Sequence, residues 1–533
     1  MGPSGVASAP MATSLLELFL TRARQAPGRP VLDFEQQRFT AGQLAGHVTA
    51  FASALQRRGL KPGERVALFL ENSPAFVIAY LGTQYAGGVV VLVNTQYRQV
   101  ELGHILSDAG ARVCVTGAAG AEELAPLKAQ LPALEWLVTV ETPDGPLPWP
   151  DVGFDALLAE GDTHASLPMP RGEHLAVLGY TSGTTGRSKG AMLLHRNLLA
   201  NVRAVTEAWR WTENDRLLLT LPLFHTHGLM VGLHGTLYSG GSVDLRRRFA
   251  APEVLSALQE DASLTLFFGV PTMYGRLVEE ARRTGLRPRP LRLLVSGSAP
   301  LSPQLFHDVA ETFGQRILER YGMTETIMNT TNPYEGERRP GTVGMPYPGQ
   351  EARVVDVRTR QPLPDGETGE IEVRGPHVFA GYWQRPDATA ESFDAEGWFR
   401  TGDLGMRDGD GYFHITGRAR ELIISGGFNV YPREVEEVLA THPGVAEVAV
   451  LGLPDPDFGE QVVAVVVPRS PPPSAQALAD FCKDRLASFK KPRRVEFVDA
   501  LPRNALGKVQ KHLLREHLQT HAAPSSVQKP TEP

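Results

Sequence analysis

The sequence predicts an α/β protein with a large N-terminal domain and a smaller α+β C-terminal domain. Three observations predict it. At 533 residues the chain exceeds what one hydrophobic core normally holds. Short apolar runs alternate with helix-like stretches over most of its length, which is the pattern of parallel sheets with helices on their faces. Around Gly417 that texture gives way to roughly a hundred residues of mixed strands and helices, enough for a small separate domain.

Residues 65–70 and 88–93 read as buried strands. The intervening residues 74–86 read as a helix with Ser73 as N-cap and Pro74 at the first helical position. Residues 175–180 are a further apolar run, and the Gly/Ser/Thr-rich stretch 181–190 follows it. Leu198, Val202, Val205 and Trp209 then fall on one helical face, so that stretch has a strand before it and a helix after it. Residues 291–295 form a short buried strand ending at Ser296-Gly297-Ser298. Beyond Gly417, residues 432–440 read as a helix and residues 445–451 and 461–467 as strands. Ser474 caps a helix running to 486, and 495–498 is a last strand. There is no internal repeat, and the Pro-rich residues 469–473 read as a surface loop.

Composition narrows the function classes. The chain is 42% hydrophobic and 21% charged with a net charge of −6, a globular composition that gives no support for binding nucleic acid or an anionic membrane. Positive charge for an anionic ligand must therefore be local. Cys114 and Cys482 are far apart in apolar contexts, which argues against a disulfide framework or cysteine metal site and for reduced thiols in a cytoplasmic protein. The first twelve residues read as a flexible leader with Met11 as an alternative start. No Lys or Arg precedes Arg22 and no apolar signal core is present, and no apolar run reaches transmembrane length. The polar, Pro-rich end of the chain reads as disordered, and the domain limits are placed at 13–418 and 419–515, with a tail over 516–533.

Five motifs carry chemistry. In residues 181–190 (TSGTTGRSKG), Gly183, Gly186 and Gly190 allow close backbone approach, Thr181, Ser182, Thr184 and Thr185 offer hydroxyls, and Lys189 supplies a point charge. This composition suits a polyphosphate, although the spacing is not that of a Walker A loop. In Glu319-Arg320-Tyr321-Gly322-Met323-Thr324-Glu325, Tyr321 could stack on adenine, Thr324 could bond a phosphate and Glu325 could hold Mg²⁺. In Thr401-Gly402-Asp403, an Asp at a Gly turn could accept from both ribose hydroxyls, and Arg418 could add a second contact. Gly426 and Gly427 allow close approach of another ligand, and Lys508 stands on a Gly-containing loop near the chain end. Taken singly, each motif also fits a plain structural role: a turn, a strand end, a solvated link, an exposed lysine.

In order, these motifs resemble the core motifs of the adenylate-forming superfamily over roughly residues 13–515. The resemblance implies a large N-terminal AMP-binding domain with a β subdomain and a mobile C-terminal lid. It implies two half-reactions: carboxylate and ATP give acyl-adenylate and pyrophosphate, then a thiol attacks the mixed anhydride. ATP, Mg²⁺ and coenzyme A are the implied partners. Ser298 and Ala299 join Tyr321, Gly322 and Met323 at the nucleotide, and Thr184 joins Glu325 at the metal. Lys508 is the charge bridging carboxylate and α-phosphate, with His225 beside the carboxylate. Arg420 is the hinge, where the family usually carries Asp or Lys, and Gly426 and Gly427 lie on the CoA path. Acetylation of Lys508 by a lysine acetyltransferase, reversed by a deacetylase, is a further expectation.

The acid is read from two arginines. Arg276 follows Gly269-Val270-Pro271-Thr272-Met273-Tyr274-Gly275 and Arg320 precedes Tyr321. A fatty-acid pocket would avoid buried guanidinium groups, whereas a second carboxylate suits their forked donors. The wording of His225-Thr226-His227-Gly228-Leu229, residues 269–274, Val295-Ser296-Gly297-Ser298-Ala299 and residues 319–326 with Met328-Asn329-Thr330 is similar to that of bacterial malonyl-CoA synthetases. In that family the arginines at these positions hold the distal carboxylate, with Ser296 and Gly297 beside them. The resemblance makes malonate the leading acid and methylmalonate the second. His225 and His227 could also be a metal pair, but no third ligand lies at suitable spacing, and His227 reads as a packed residue. A ligase for a monocarboxylic acid, a loader of a separate carrier protein and a non-catalytic nucleotide-binding protein are the competing readings.

Overall fold

A computed structural model describes residues 12–143, 145–181, 188–425, 428–483, 485–504 and 507–520. The expected leader lies almost wholly outside these residues, as does the end of the expected tail. The chain divides into two compact units. The first comprises residues 1–353, 372–401 and 410–413, the second residues 354–371, 402–409 and 414–533. No single cut in sequence makes that division, because β-pairing joins segments far apart in the chain.

The first unit holds two large sheets. In the seven-stranded sheet, Asp151–Gly153, Trp136–Thr139, Ala111–Thr116, Arg65–Phe69, Val89–Leu92 and Leu175–Thr181 run parallel in that spatial order, and Lys189–Leu194 closes the edge antiparallel. In the nine-stranded sheet the centre is parallel, and Leu266–Gly269, Leu293–Ser296 and Leu318–Tyr321 lie side by side within it. The expected strand–helix–strand is present. Helix Pro74–Tyr85 starts at Ser73, whose hydroxyl accepts from the Phe76 amide, and Pro74 occupies the first turn. Its residues from Ala75 to Tyr85 are all buried, which fits a helix apolar on every side. Helix His195–Ala208 buries Leu198, Val202 and Val205, with Trp209 as its buried C-cap.

Strands Glu351–Val355, Gly369–Arg374, Phe399–Arg407 and Phe413–Arg418 form a four-stranded sheet. In the second unit, Val445–Asp455 and Gly459–Pro468 pair antiparallel, and Arg494–Phe497 adds parallel to the latter. Helix Pro432–Ala440 matches the expected bounds, and Ser474 accepts from the Ala477 amide ahead of helix Ala475–Lys483. Helix Lys511–Thr520 buries Leu514 and Leu518, so residues 516–520 belong to this core rather than to a tail. Cys114 and Cys482 are buried free thiols. Among the described residues no helix is long and apolar enough to cross a membrane.

Candidate active site

The parallel centre of the nine-stranded sheet gathers the acid-site residues. Gly269 pairs with Ser296, and Ser296 with Glu319, so three strand ends finish together. The carboxyl ends of parallel strands are where open α/β sheets bind ligands. Tyr274 ties these strands, its hydroxyl donating to the Val295 carbonyl at 2.8 Å. It therefore serves the scaffold.

Arg320 is 3% exposed. Its Nη2 donates to Ser298 Oγ at 3.4 Å, and its Nε has no hydrogen-bond partner among the described residues. Burial pushes its guanidinium down to about 10, partly opposed by Tyr347 and Glu319, so it stays charged at neutral pH. Ser298 stands in the left-handed region at φ +70°, and its Oγ lies 3.3 Å from His227 Nδ1. Gly297 makes the arrangement sterically feasible: a Cβ there would stand 2.5 Å from the Arg320 guanidinium carbon. His227 is buried, stacks on Phe268 with ring centroids 6.2 Å apart, and is held well below the ordinary histidine range by burial and by Arg320. It is therefore neutral, with Nε2 unpartnered among the described residues. The Ser296 hydroxyl is also buried, without a partner among the described residues. A charged fork and a neutral imidazole thus meet at the Ser298 hydroxyl, and an anion is the kind of group that would meet the unpaired donor.

Arg276 is placed differently. It lies on helix Pro271–Thr284, is exposed, and has no hydrogen bond or ion pair among the described residues. The structure therefore brings Arg320, Gly297, Ser298 and Ser296 together but shows no contact between Arg276 and them.

A small cleft lies nearby, lined by Asn94, Tyr97, Gly179, Phe224, His225 and Thr324 among others. His225 is pushed down to about 4 by burial, so it too is neutral at pH 7. Asn72 fixes the approach to it: its amide group donates to the Leu221 and Arg246 carbonyls and accepts from the Leu223 amide. Thr324 packs on the strand Leu175–Thr181 where Gly179 leaves room, since a Cβ there would lie 2.6 Å from the Thr324 methyl. The turn carrying Thr324 and Glu325 is closed by the Asn329 amide on the Tyr321 carbonyl, and buried Ile327 stands at φ +59°, a costly conformation for a β-branched residue. Tyr321, Gly322 and Met323 are half-buried on this turn, and Ala299 is half-buried after Ser298.

Glu325 is 5% exposed, not a surface residue. Thr181 donates to its Oε1 at 3.4 Å and Tyr382 at 3.0 Å. One carboxylate among hydroxyls fits Mg²⁺, which takes few protein oxygens and completes its shell with phosphate and water. Lys189 lies 5.2 Å from the Tyr382 ring centre. Ser182, Gly183, Thr184, Thr185 and Gly186 lie outside the described residues, as do Gly426 and Gly427.

The second unit positions the other predicted residues. Asp403 lies within the strand Phe399–Arg407, not at a turn, because Gly402 takes φ +69° inside the strand and its amide bonds Glu370. Arg418 ends the neighbouring strand and pairs with Asp403 at 2.7 Å. Arg420 sits exposed in the short turn Ala419–Glu421. Lys508 is half-buried, and its backbone is clasped to Asn504 by two 2.9 Å hydrogen bonds. Burial lowers its ammonium, with Arg418 acting in the same direction and Asp403 against it.

Reading the sequence missed two site residues. His227 was assigned a packing role but touches the Ser298–Arg320 pair, and the histidine spacing was the available signal. Tyr382 gave no signal, because its partners lie 57 and 193 residues away in sequence.

A buried carboxylate among hydroxyls and a buried arginine with an unmet donor are compatible with an enzyme that joins a carboxylic acid to a nucleotide. The chain belongs to the AMP-binding enzyme family. Residues 19–383 match the AMP-binding enzyme and residues 434–508 its C-terminal domain. It is an adenylate-forming, ATP-dependent acid–CoA ligase, with ATP, Mg²⁺ and coenzyme A as its reactants and cofactor. It is 39% identical over 513 residues to the sulfoacetate–CoA ligase of Cupriavidus necator, covering 95% of this chain and 98% of that one. It is 35% identical to the malonate–CoA ligase of Arabidopsis thaliana, covering 86% and 79%. The crystal structure of ATP-bound MatB from Rhodopseudomonas palustris superposes with a TM-score of 0.88 at 39% identity, covering 96% and 99%.

Proposed function

We propose that this ligase activates malonate, with methylmalonate as a second substrate. Buried Arg320, with an unpartnered Nε beside neutral His227, carries this reading. A monocarboxylate would leave that cation without a counter-ion in a desolvated place, at a cost a fatty-acid pocket would not accept. A distal carboxylate supplies the charge and the acceptor oxygens. Relatives named for malonate and for sulfoacetate support it, since both acids carry a second anion.

In the reading we adopt, a carboxylate oxygen of malonate attacks the α-phosphorus. The O–P bond forms as the bond to pyrophosphate breaks. The CoA sulfur then attacks the carbonyl carbon, loses its proton, and AMP leaves. Mg²⁺ neutralises charge on the phosphates and is assigned to Glu325 and Thr184. Lys189 and the hydroxyls of residues 181–185 are assigned to the β- and γ-phosphates, and Thr324 to a phosphate oxygen. Tyr321 is assigned to adenine with Ser298, Ala299, Gly322 and Met323, and Asp403 with Arg418 to the ribose. Lys508 offsets the meeting of two anions in the first step only. Arg420 is the hinge, His225 flanks the reacting carboxylate, and Gly426 and Gly427 flank CoA. Arg276 adds to the distal-anion site. Acetylating Lys508 would then stop adenylation and spare thioester formation from preformed adenylate.

The test is pyrophosphate release with ATP, Mg²⁺ and CoA across malonate, methylmalonate, sulfoacetate, succinate, acetate, butyrate and benzoate. Preference for malonate, lost in Arg320→Met, is expected. Preference for a monocarboxylate would make Arg320 structural and overturn the reading, and preference for sulfoacetate would keep the distal-anion site but replace the acid.

A further inference from the structure

Residues 379–383 lie against two parts of the nucleotide site at once. The Phe379 amide donates to the Glu325 carbonyl at 2.8 Å. The Ala380 amide donates to the Met192 carbonyl, the Met192 amide to the Gly381 carbonyl, and the Trp383 amide to the Gly190 carbonyl, all at 2.8–2.9 Å. This short segment is therefore stitched to the strand that carries Lys189 and to the turn that carries Glu325. Tyr382 sits in its middle, with its amide fixed to Thr389 Oγ1 at 2.9 Å.

The Tyr382 side chain repeats that bridging with its two ends. Its hydroxyl donates to Glu325 Oε1 at 3.0 Å, and its ring face takes the Lys189 ammonium at 5.2 Å from the centroid. Thr181 and Lys189 oppose each other across their strand pair, and opposed residues project to one face. Thr181 bonds the same Glu325 oxygen. Lys189 and Glu325, of opposite charge, thus both lie against the one tyrosine side chain. The flexible lysine stem makes direct pairing accessible, and a lysine so paired is diverted from a phosphate, as the carboxylate is from a metal ion. A tyrosine suits both neighbours, because its ring face attracts a cation and its hydroxyl donates to an anion.

We propose that Tyr382 is a positioning residue that holds the Lys189 ammonium and the Glu325 carboxylate apart, keeping one for the polyphosphate and the other for Mg²⁺. The inference rests on the nucleotide-site part of the proposed function and is independent of which acid is used. Tyr382→Phe retains the ring and loses the hydroxyl, whereas Tyr382→Leu loses both.

The experiment is calorimetric titration of ATP into the full chain, without acid or CoA, at a series of Mg²⁺ concentrations. For Y382F, ATP affinity without Mg²⁺ stays near wild type, and the Mg²⁺ concentration for half-maximal enhancement rises about tenfold, the scale of one hydrogen bond to a charged group. For Y382L, affinity without Mg²⁺ also falls, by about fivefold, on the scale of a lost cation–π contact and a new competing pair. The double variant Y382L/E325Q regains the Mg²⁺-free affinity, because the competing carboxylate is gone. A Y382L loss that E325Q does not rescue overturns the inference, as does wild-type behaviour of both tyrosine variants beside a sensitive K189A. Insensitivity of K189A and E325Q themselves overturns the nucleotide-site reading instead. Thermal melting of each variant separates a binding defect from unfolding, and the rescue is a result that unfolding does not produce.

Discussion

At the residue scale, the proposed acid site depends on atoms that are absent as much as on those present. Gly297 has no Cβ, and the Arg320 guanidinium occupies that space. Gly297→Ala therefore displaces the fork while leaving the arginine in the chain. We expect kcat/KM for malonate to fall about 10- to 100-fold, the range for losing hydrogen bonds to a charged group, with a smaller loss for a monocarboxylate. Steady-state kinetics on both acids checks this, and equal losses would mean that Gly297 serves the fold alone. The same scale shows why Arg320 and Arg276, alike in sequence, differ in three dimensions. Arg320 follows a buried strand residue and is drawn into the sheet end, whereas Arg276 sits on a helix face open to solvent.

Buried histidines add a pH response at this scale. His195 and His225 are pushed down to about 4 by burial, and His234 and His377 to about 3. The unfolded chain titrates these groups near 6.5, so between about 6.5 and 4 it binds more protons than the folded one. Stability of the first unit therefore falls as pH drops through that window, by at most about 1.4 kcal/mol per pH unit for each histidine. Above about pH 7 these groups contribute no slope. Urea midpoints between pH 4 and 8 check the sign.

At the element scale, one side chain sets a loop. Asn72 makes three hydrogen bonds to the backbone around Leu221, Leu223 and Arg246, just ahead of His225. Asn72→Ala leaves buried donors and acceptors unmet, and we expect a loss of about 3 kcal/mol with a raised KM for the acid. Denaturant titration beside kinetics checks both, and a normal KM would remove Asn72 from the positioning of His225. The helix Pro74–Tyr85 and its Ser73 cap were legible because capping is local and written in adjacent residues. The strand around Asp403 was not, because the Gly-Asp pair reads as a turn until its pairing partners are known.

At the scale of the molecule, each unit has its own core, and the second contains a half-buried ionic group. Lys511 Nζ pairs with Glu436 at 2.7 Å and Glu421 at 3.2 Å, and Glu436 also accepts from the Val450 amide. Lys511→Met strands two half-buried carboxylates, at a cost below the about 3–5 kcal/mol typical of breaking a fully buried pair. We expect it to lower the unfolding of the second unit and leave the first unchanged, which hydrogen exchange resolved by peptide would show. A uniform loss across both units would mean that they unfold as one.

The sequence by itself determined the class. Five ordered motifs, the alternation of strands and helices, and a change of texture near Gly417 depend on neighbouring residues, and chemistry at fixed spacing is readable in one dimension. It also named Arg320, Glu325, Lys189, Asp403 and Lys508 for the site. Only the tertiary structure decided which of them meet. The Arg320–Ser298–His227 chain spans 93 residues, and Tyr382 joins Lys189 and Glu325 from 193 and 57 residues further along the chain. Such contacts arise where parallel strands from distant segments end side by side, and the order of strands in a sheet is set by packing across the whole core rather than by any local pattern.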